Sequence, residues 1–221
     1  MIVFSNVSRF HRNERKVAVV LRDISLVVPP GGRVGIFGSY GAGKSTLARL
    51  ASKVEYPDEG TITQVGHVSW PIGFSGFLQK EMTGADNIRT VAGLMGCNSR
   101  KLFAYVTAFT GLGTILDFRV GTYAAFERDR LAVALALAFP ADTYVMDGLP
   151  GLGGTEFQSR CLGELDKRLR HASLLLLSRN RRHLESLCDT FFALNDGVLL
   201  AAASADHAEA LSMPVIGERT A

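Results

Sequence analysis

Cysteine is scarce and scattered, with only Cys97, Cys161 and Cys188 in a chain of 221 residues. An odd number in no metal-ligand spacing excludes a disulfide-framed secreted scaffold and a structural zinc site. It fits a reducing compartment, with all three thiols expected as small buried hydrophobes. An excess of charge of either sign is also missing: 24 Lys and Arg stand against 21 Asp and Glu, a formal net charge of +3 with both signs spread along the chain. That balance gives no basic footprint, so no nucleic-acid partner is expected. No apolar run reaches the roughly 18 residues that a membrane span needs; the longest candidate, residues 131–139, is closed by Pro140 and Asp142. The opening Met1-Ile2-Val3-Phe4-Ser5-Asn6 lacks the basic-then-apolar pattern of a secretory signal. Internal repeats and low-complexity tracts are absent as well. What the chain does have is apolar bulk, 47% hydrophobic against 20% charged, enough for one large core without disulfide or metal staples. A single soluble domain, cytoplasmic in location, is the expectation.

Short β-branched runs fill the first third, at residues 2–4, 17–21, 24–28 and 33–37, separated by turn clusters such as Pro29-Pro30-Gly31-Gly32. They predict strands. After Gly43 the apolar spacing becomes helical, through Leu47, Leu50, Ala51 and Val54, and another strand is predicted at 61–65. Residues 84–111 and 123–139 read as mostly helical, which places a helical subdomain near 70–140. The last third alternates: strands at 143–146 and 174–177, helices near 155–171 and 182–188, then a hairpin of 191–194 with 198–201 around Asn195-Asp196-Gly197. Such alternation predicts an α/β fold, a sheet flanked by helices.

The strongest motif is Gly38-Ser39-Tyr40-Gly41-Ala42-Gly43-Lys44-Ser45-Thr46, which fits G-x-x-x-x-G-K-[ST] between a predicted strand and a predicted helix. In that context glycines let the backbone wrap a phosphate, N–H groups converge on its oxygens, and the helix N-terminus adds partial positive charge. Lys44 is expected to neutralise the β- and γ-phosphates, and Ser45 to offer its hydroxyl to Mg²⁺. The second magnesium contact is expected from Asp147, which follows the apolar strand Thr143-Tyr144-Val145-Met146. ATP and Mg²⁺ are thus the implied ligands.

Over nearly its full length the chain resembles the nucleotide-binding domains of ABC transporters, and within them the ATP-binding subunits of capsular-polysaccharide exporters. The resemblance rests on residues 27–46, on Tyr56-Pro57-Asp58-Glu59-Gly60, and above all on Ser69-Trp70-Pro71-Ile72-Gly73-Phe74-Ser75-Gly76-Phe77-Leu78-Gln79 with Met82-Thr83-Gly84-Ala85-Asp86-Asn87-Ile88. It implies a P-loop NTPase fold of ABC type, one nucleotide-binding domain over 1–221 with a mixed sheet and a helical subdomain. Its implied partners are an integral membrane permease and a second nucleotide-binding subunit, identical or different, at the inner face of the cell membrane. Gln79 is the nearest candidate for the family's nucleotide-sensing glutamine, the alternative being an exposed loop residue. Phe10 or His11 stands where an aromatic commonly stacks on adenine, against simple packing under the first hairpin. Trp70 and Phe74 are candidates for a slot that receives the permease, or for core. The chain ends soon after the fold is expected to be complete, which suits the shorter capsule-type relatives.

The chain departs from the family at the residues that complete hydrolysis. The signature loop reads Tyr123-Ala124-Ala125-Phe126-Glu127, with Ala124 in place of a serine, Phe126 in place of a glycine, and Glu127 adding negative charge. All three changes oppose phosphate binding. Gly148 stands where the family has a water-polarising glutamate, Arg179 where it has a histidine, and Gly154 where it has an aspartate. Arg179 supplies charge but no base. The basic run from Arg179 to His183 reads as a solvated helix start, or as an approach to phosphate, membrane or partner. The expectation is ATP binding with weak or absent hydrolysis, in an exporter of capsular or related polysaccharide. The alternative is a non-hydrolysing regulatory or scaffold subunit of an export or biosynthesis complex.

Overall fold

The computed structural model describes residues 1–13, 16–148 and 155–212. Two sheets share the chain. β1 (Ile2–Asn13) pairs antiparallel with β2 (Lys16–Val28) on one side; after β3 (Arg33–Gly38) and α1 (Lys44–Ala51), β4 (Glu59–Gln64) joins its other side, giving the order β2-β1-β4. The helices α2 (Gly84–Leu94), α3 (Ser99–Thr110) and α4 (Ala125–Ala138) follow, then β5 (Thr143–Asp147), α5 (Thr155–Leu169), β6 (Ser173–Ser178), α6 (Arg181–Leu187), β7 (Thr190–Asn195), β8 (Val198–Ala202) and α7 (Ala205–Leu211). The second sheet runs β5-β6-β3-β7-β8, parallel except for β8. Its final hairpin turns on Asp196 (φ 44°) and Gly197 (φ 76°), the two positive φ values of a tight hairpin turn.

All six residues of β6, four leucines between Ser173 and Ser178, are buried, because both faces of this sheet are covered. Leu174 and Leu176 join the apolar cluster of the helices, whereas Leu175 and Leu177 face α1 and the smaller sheet. Helix α1, through Leu47, Ala48, Leu50 and Ala51, therefore lies in the core between the two sheets.

Several features differ from the sequence-based expectation, among them helix α7, which follows the final hairpin. Residues 17–21 and 24–28 form one strand, because Asp23 and Asn6 both take left-handed backbone (φ 51° and 52°). Asn6 Nδ2 donates to Asp23 Oδ1 at 2.7 Å, and the ladder shifts register there instead of turning. The helical stretch 84–111 is two helices, broken by Gly96 (φ 62°) and restarted by Asn98, whose side chain caps the Lys101 amide at 3.0 Å. Cys97 sits in that break and is exposed, so only Cys161 is the buried thiol expected, with Cys188 half-buried.

Residues 68–72 lie beside β5 in parallel. The Ser69 and Ile72 amides donate to Thr143 and Val145 carbonyls (2.9 and 2.8 Å), and the Asp147 amide donates back to Ile72 (2.9 Å). Buried Ser69 accepts the Val145 amide on its hydroxyl at 3.0 Å. Ser69→Ala leaves that amide without an acceptor, at a cost of about 1–3 kcal/mol. The melting temperature is expected to fall by several degrees; an unchanged melt contradicts the clasp.

Candidate functional site

Where β3, β5 and β6 end, their carboxyl termini and the N-terminus of α1 surround a cleft of about 850 Å³. This is the edge at which open parallel sheets bind ligands. The predicted residues Tyr40, Gly41, Ala42, Gly43, Lys44, Ser45 and Thr46 line it, as does Asp147. Gly38 and Ser39 lie beneath, and their carbonyls accept hydrogen bonds from Lys44 Nζ at 2.7 and 2.6 Å. Gly41 and Gly43 have φ of 80° and 101°, conformations that side chains resist. A Cβ on Gly43 would also sit 3.0 Å from the Val20 carbonyl and 2.9 Å from Leu21 Cδ2. Only glycine lets the loop nest against β2. Burial pulls the Lys44 pKa below its ordinary value; Asp147 opposes this, and the positive charge of Arg179 adds to it. Ser45 is exposed on the first turn of α1, and Tyr40 stands 90% exposed on the loop.

Gly148 follows Asp147 with φ 79°, and its amide donates to the Leu177 carbonyl at 2.7 Å, tying the ends of β5 and β6 together. Arg179 follows β6 and enters the cleft, its guanidinium 6.0 Å from the Tyr40 ring centroid. The basic run therefore divides. Arg181 leaves the cleft for Asp206, Glu185 and Glu209. His183 turns back to line the cleft, with its imidazole pKa lowered by burial. Of the two alternatives for the run Arg179 to His183, a solvated helix start or an approach to phosphate, membrane or partner, His183 takes a place in the cleft. Val20 also lines it with no signal in the sequence, because strand pairing brings it there. His11 lines the cleft and Phe10 does not; the Phe10 amide is held by Asp58 at 2.8 Å.

Other singled-out residues lie elsewhere. Gln79 is exposed and does not line the cleft; its backbone N–H and C=O are clamped by the buried side chain of Asn87 at 2.8 and 3.0 Å. Trp70 packs on Phe77 and Phe139, with ring centroids 4.9 and 6.3 Å away, and Phe74 is half-buried. At the signature segment, the Ala124 amide donates to Glu127 Oε2 at 2.8 Å, so the start of α4 is capped by its own carboxylate. Arg130 lies over Phe126 and Phe157 at 5.5 and 4.9 Å. Gly154 lies outside the described residues. Among the described residues no helix is long and apolar enough to cross a membrane, and no cluster of three His, Cys, Asp or Glu could hold a metal.

The ABC transporter family profile matches residues 21–148. The ATP-binding protein BexA of Haemophilus influenzae is 34% identical over 199 residues, covering 90% of this chain and 92% of the relative. The capsule polysaccharide export ATP-binding protein CtrD of Neisseria meningitidis serogroup B is 35% identical, with 89% and 91% covered. The polysialic acid transport ATP-binding protein KpsT of Escherichia coli is 32% identical, with 88% and 90% covered. A solved dimeric ATP-binding cassette in a post-hydrolysis state with ADP and Pi superposes with a TM-score of 0.74 at 16% identity, covering 90% of this chain and 96% of that one, which shows a shared fold. With the family profile spanning more than half of its residues, and relatives above 30% identity along nearly its whole length, this chain belongs to the ABC transporter family.

Proposed function

We propose that the protein is the ATP-binding subunit of an exporter of capsular or related polysaccharide, one that binds ATP and hydrolyses it weakly or not at all. The observation that carries this reading is the cleft itself. The left-handed glycines Gly41 and Gly43, half-buried Lys44 and Asp147 converge there, while the next residue is Gly148 and the β6 end bears Arg179. The residues fit a nucleotide with its magnesium. A loop without side chains at two turns leaves room for phosphate against backbone N–H groups, and Lys44 is held at the loop's base by two carbonyls.

Residues from Gly38 to Thr46 hold the phosphates in this reading, with Lys44 countering their charge and Ser45 and Asp147 holding Mg²⁺. Held by Ser45 and Asp147, Mg²⁺ would supply positive charge to offset that of the phosphates. His11 flanks the base in this reading, which its position lining the cleft supports. Gly148 has no group that accepts a proton, and a guanidinium stays charged, so neither activates water. The whole chain acts as one nucleotide-binding unit, with residues 70–140 as its helical part. It pairs with a second nucleotide-binding subunit and a membrane permease, peripheral on the inner face of the cell membrane.

The names of the relatives support the polysaccharide cargo. Removing the protein from its host is expected to abolish surface polysaccharide, and restoring it with Lys44→Ala is expected to fail; unchanged polysaccharide on removal contradicts the exporter. A second reading is favoured by Gly148, Arg179 and the self-capped α4: a regulatory or scaffold subunit that binds nucleotide without hydrolysing it. In that case Lys44→Ala restores surface polysaccharide partly, and a separate conforming ATPase supplies the turnover.

A further inference from the structure

Where α2 gives way to α3 the chain forms an outward tip. Residues 93–98 are exposed without a break, and a Cβ on Gly93 or Gly96 would meet no atom within 4 Å. Leu94 stands 77% exposed there and Met95 45%. Beside them, in the first turn of α3, Arg100 and Lys101 are exposed as well. Between Asp86 and Asp117 the sequence holds three cations, Arg89, Arg100 and Lys101, and no acidic residue. Arg89 pairs with Asp86 at 2.6 Å; among the described residues Arg100 and Lys101 form no ion pair. Both also stand at the helix end whose backbone dipole repels positive charge, so they do not serve the helix they begin.

A partner helix docks its apolar face in a groove, whereas this tip projects, and none of its residues lines the cleft. Two protruding apolar side chains flanked by two cations complement a different surface, a bilayer that carries negative headgroups. We propose that the α2–α3 tip rests on anionic phospholipid, with Leu94 and Met95 entering the headgroup layer and Arg100 and Lys101 countering the phosphate charge. The proposal rests on the peripheral placement at the membrane described above and names the contact that makes it. Two apolar side chains alone hold a bilayer weakly, and two cations alone are screened by salt. Together they give a reversible association whose strength depends on lipid charge.

The test is co-sedimentation of the full chain with vesicles of phosphatidylcholine alone, and of phosphatidylcholine and phosphatidylglycerol in equal parts, beside fractionation of the host cells. Wild type is expected to bind the anionic vesicles at least about tenfold more tightly than the neutral ones, and added salt weakens that binding. Arg100→Ala with Lys101→Ala loses about 25-fold, roughly fivefold per charge. Leu94→Ser with Met95→Ser loses about tenfold. Lys167→Ala with Arg170→Ala removes the same charge from the exposed face of α5 and loses less than about twofold. Equal losses from the α3 and α5 pairs, or no loss from the α3 pair, overturn the tip as the contact. Wild type that ignores anionic vesicles, yet is recovered with host membranes, overturns the lipid contact alone and leaves these residues to a protein partner. Wild type found only in the soluble fraction of its host overturns the membrane placement itself. Thermal melts confirm that each variant is folded.

Discussion

Lys44→Ala is expected to weaken ATP binding at least about a hundredfold while leaving the melting temperature within a few degrees of wild type. Hydrogen bonds to charged groups contribute about 1.5–3 kcal/mol each, and a lysine that meets more than one phosphate oxygen multiplies that loss. Among the described residues Nζ donates only to Gly38 and Ser39 carbonyls, and burial already disfavours its charged form. Its removal therefore takes little from the fold. It takes from the cleft the cation at the base of the loop. Equilibrium titration of wild type and variant checks this, and ATP affinity within about threefold of wild type contradicts the placement of the phosphates.

Turnover carries the second large effect. A positioned base contributes about 10² to 10⁴ in rate, so the protein is expected to hydrolyse ATP at least about a hundredfold more slowly than a family member with glutamate after its magnesium-binding aspartate. Gly148→Glu alone is expected to recover less than about tenfold, for two reasons. The backbone there has φ 79°, where a side chain costs on the order of 1–3 kcal/mol, although a Cβ would meet no atom within 4 Å. The other departures, at Arg179 and at the self-capped start of α4, stay in place. Groups that act as a unit do not recover singly. A Gly148→Glu variant that reaches the rate of a conforming family member contradicts this account.

The cleft was largely legible in the sequence because its parts are local. A strand at 33–37, a glycine-rich turn and a helix beginning with Lys44 follow one another directly, and Asp147 ends an apolar run. The large sheet was legible for the same reason: short apolar strands alternate with amphipathic helices, and Asp196-Gly197 supplies the hairpin turn. What escaped depends on distant partners. Asp23 looks like a turn residue until Asn6, 17 positions away, bonds to it and converts a turn into a bulge. Ser69 reads as part of a family motif, yet its role is to accept the amide of Val145, 76 residues on. His183 belongs by composition to a basic surface run, and only the start of α6 divides that run between cleft and salt bridges. Helix α7 lacks a long apolar face and is defined by its Ser204 cap, which accepts the His207 amide at 3.1 Å. The break at Gly96 was hidden because apolar residues on both sides keep helical spacing.

The cleft proposed here binds ATP and hydrolyses it weakly or not at all. Its most direct test is to mix purified protein with ATP and Mg²⁺, remove free nucleotide after a fixed interval, and identify what is recovered from the protein, with Lys44→Ala treated in parallel. Intact ATP on the wild-type protein, little released phosphate, and no bound nucleotide on the variant are expected. ADP and phosphate that form on wild type at the rate of a conforming family member, and are absent with Lys44→Ala, would contradict this reading.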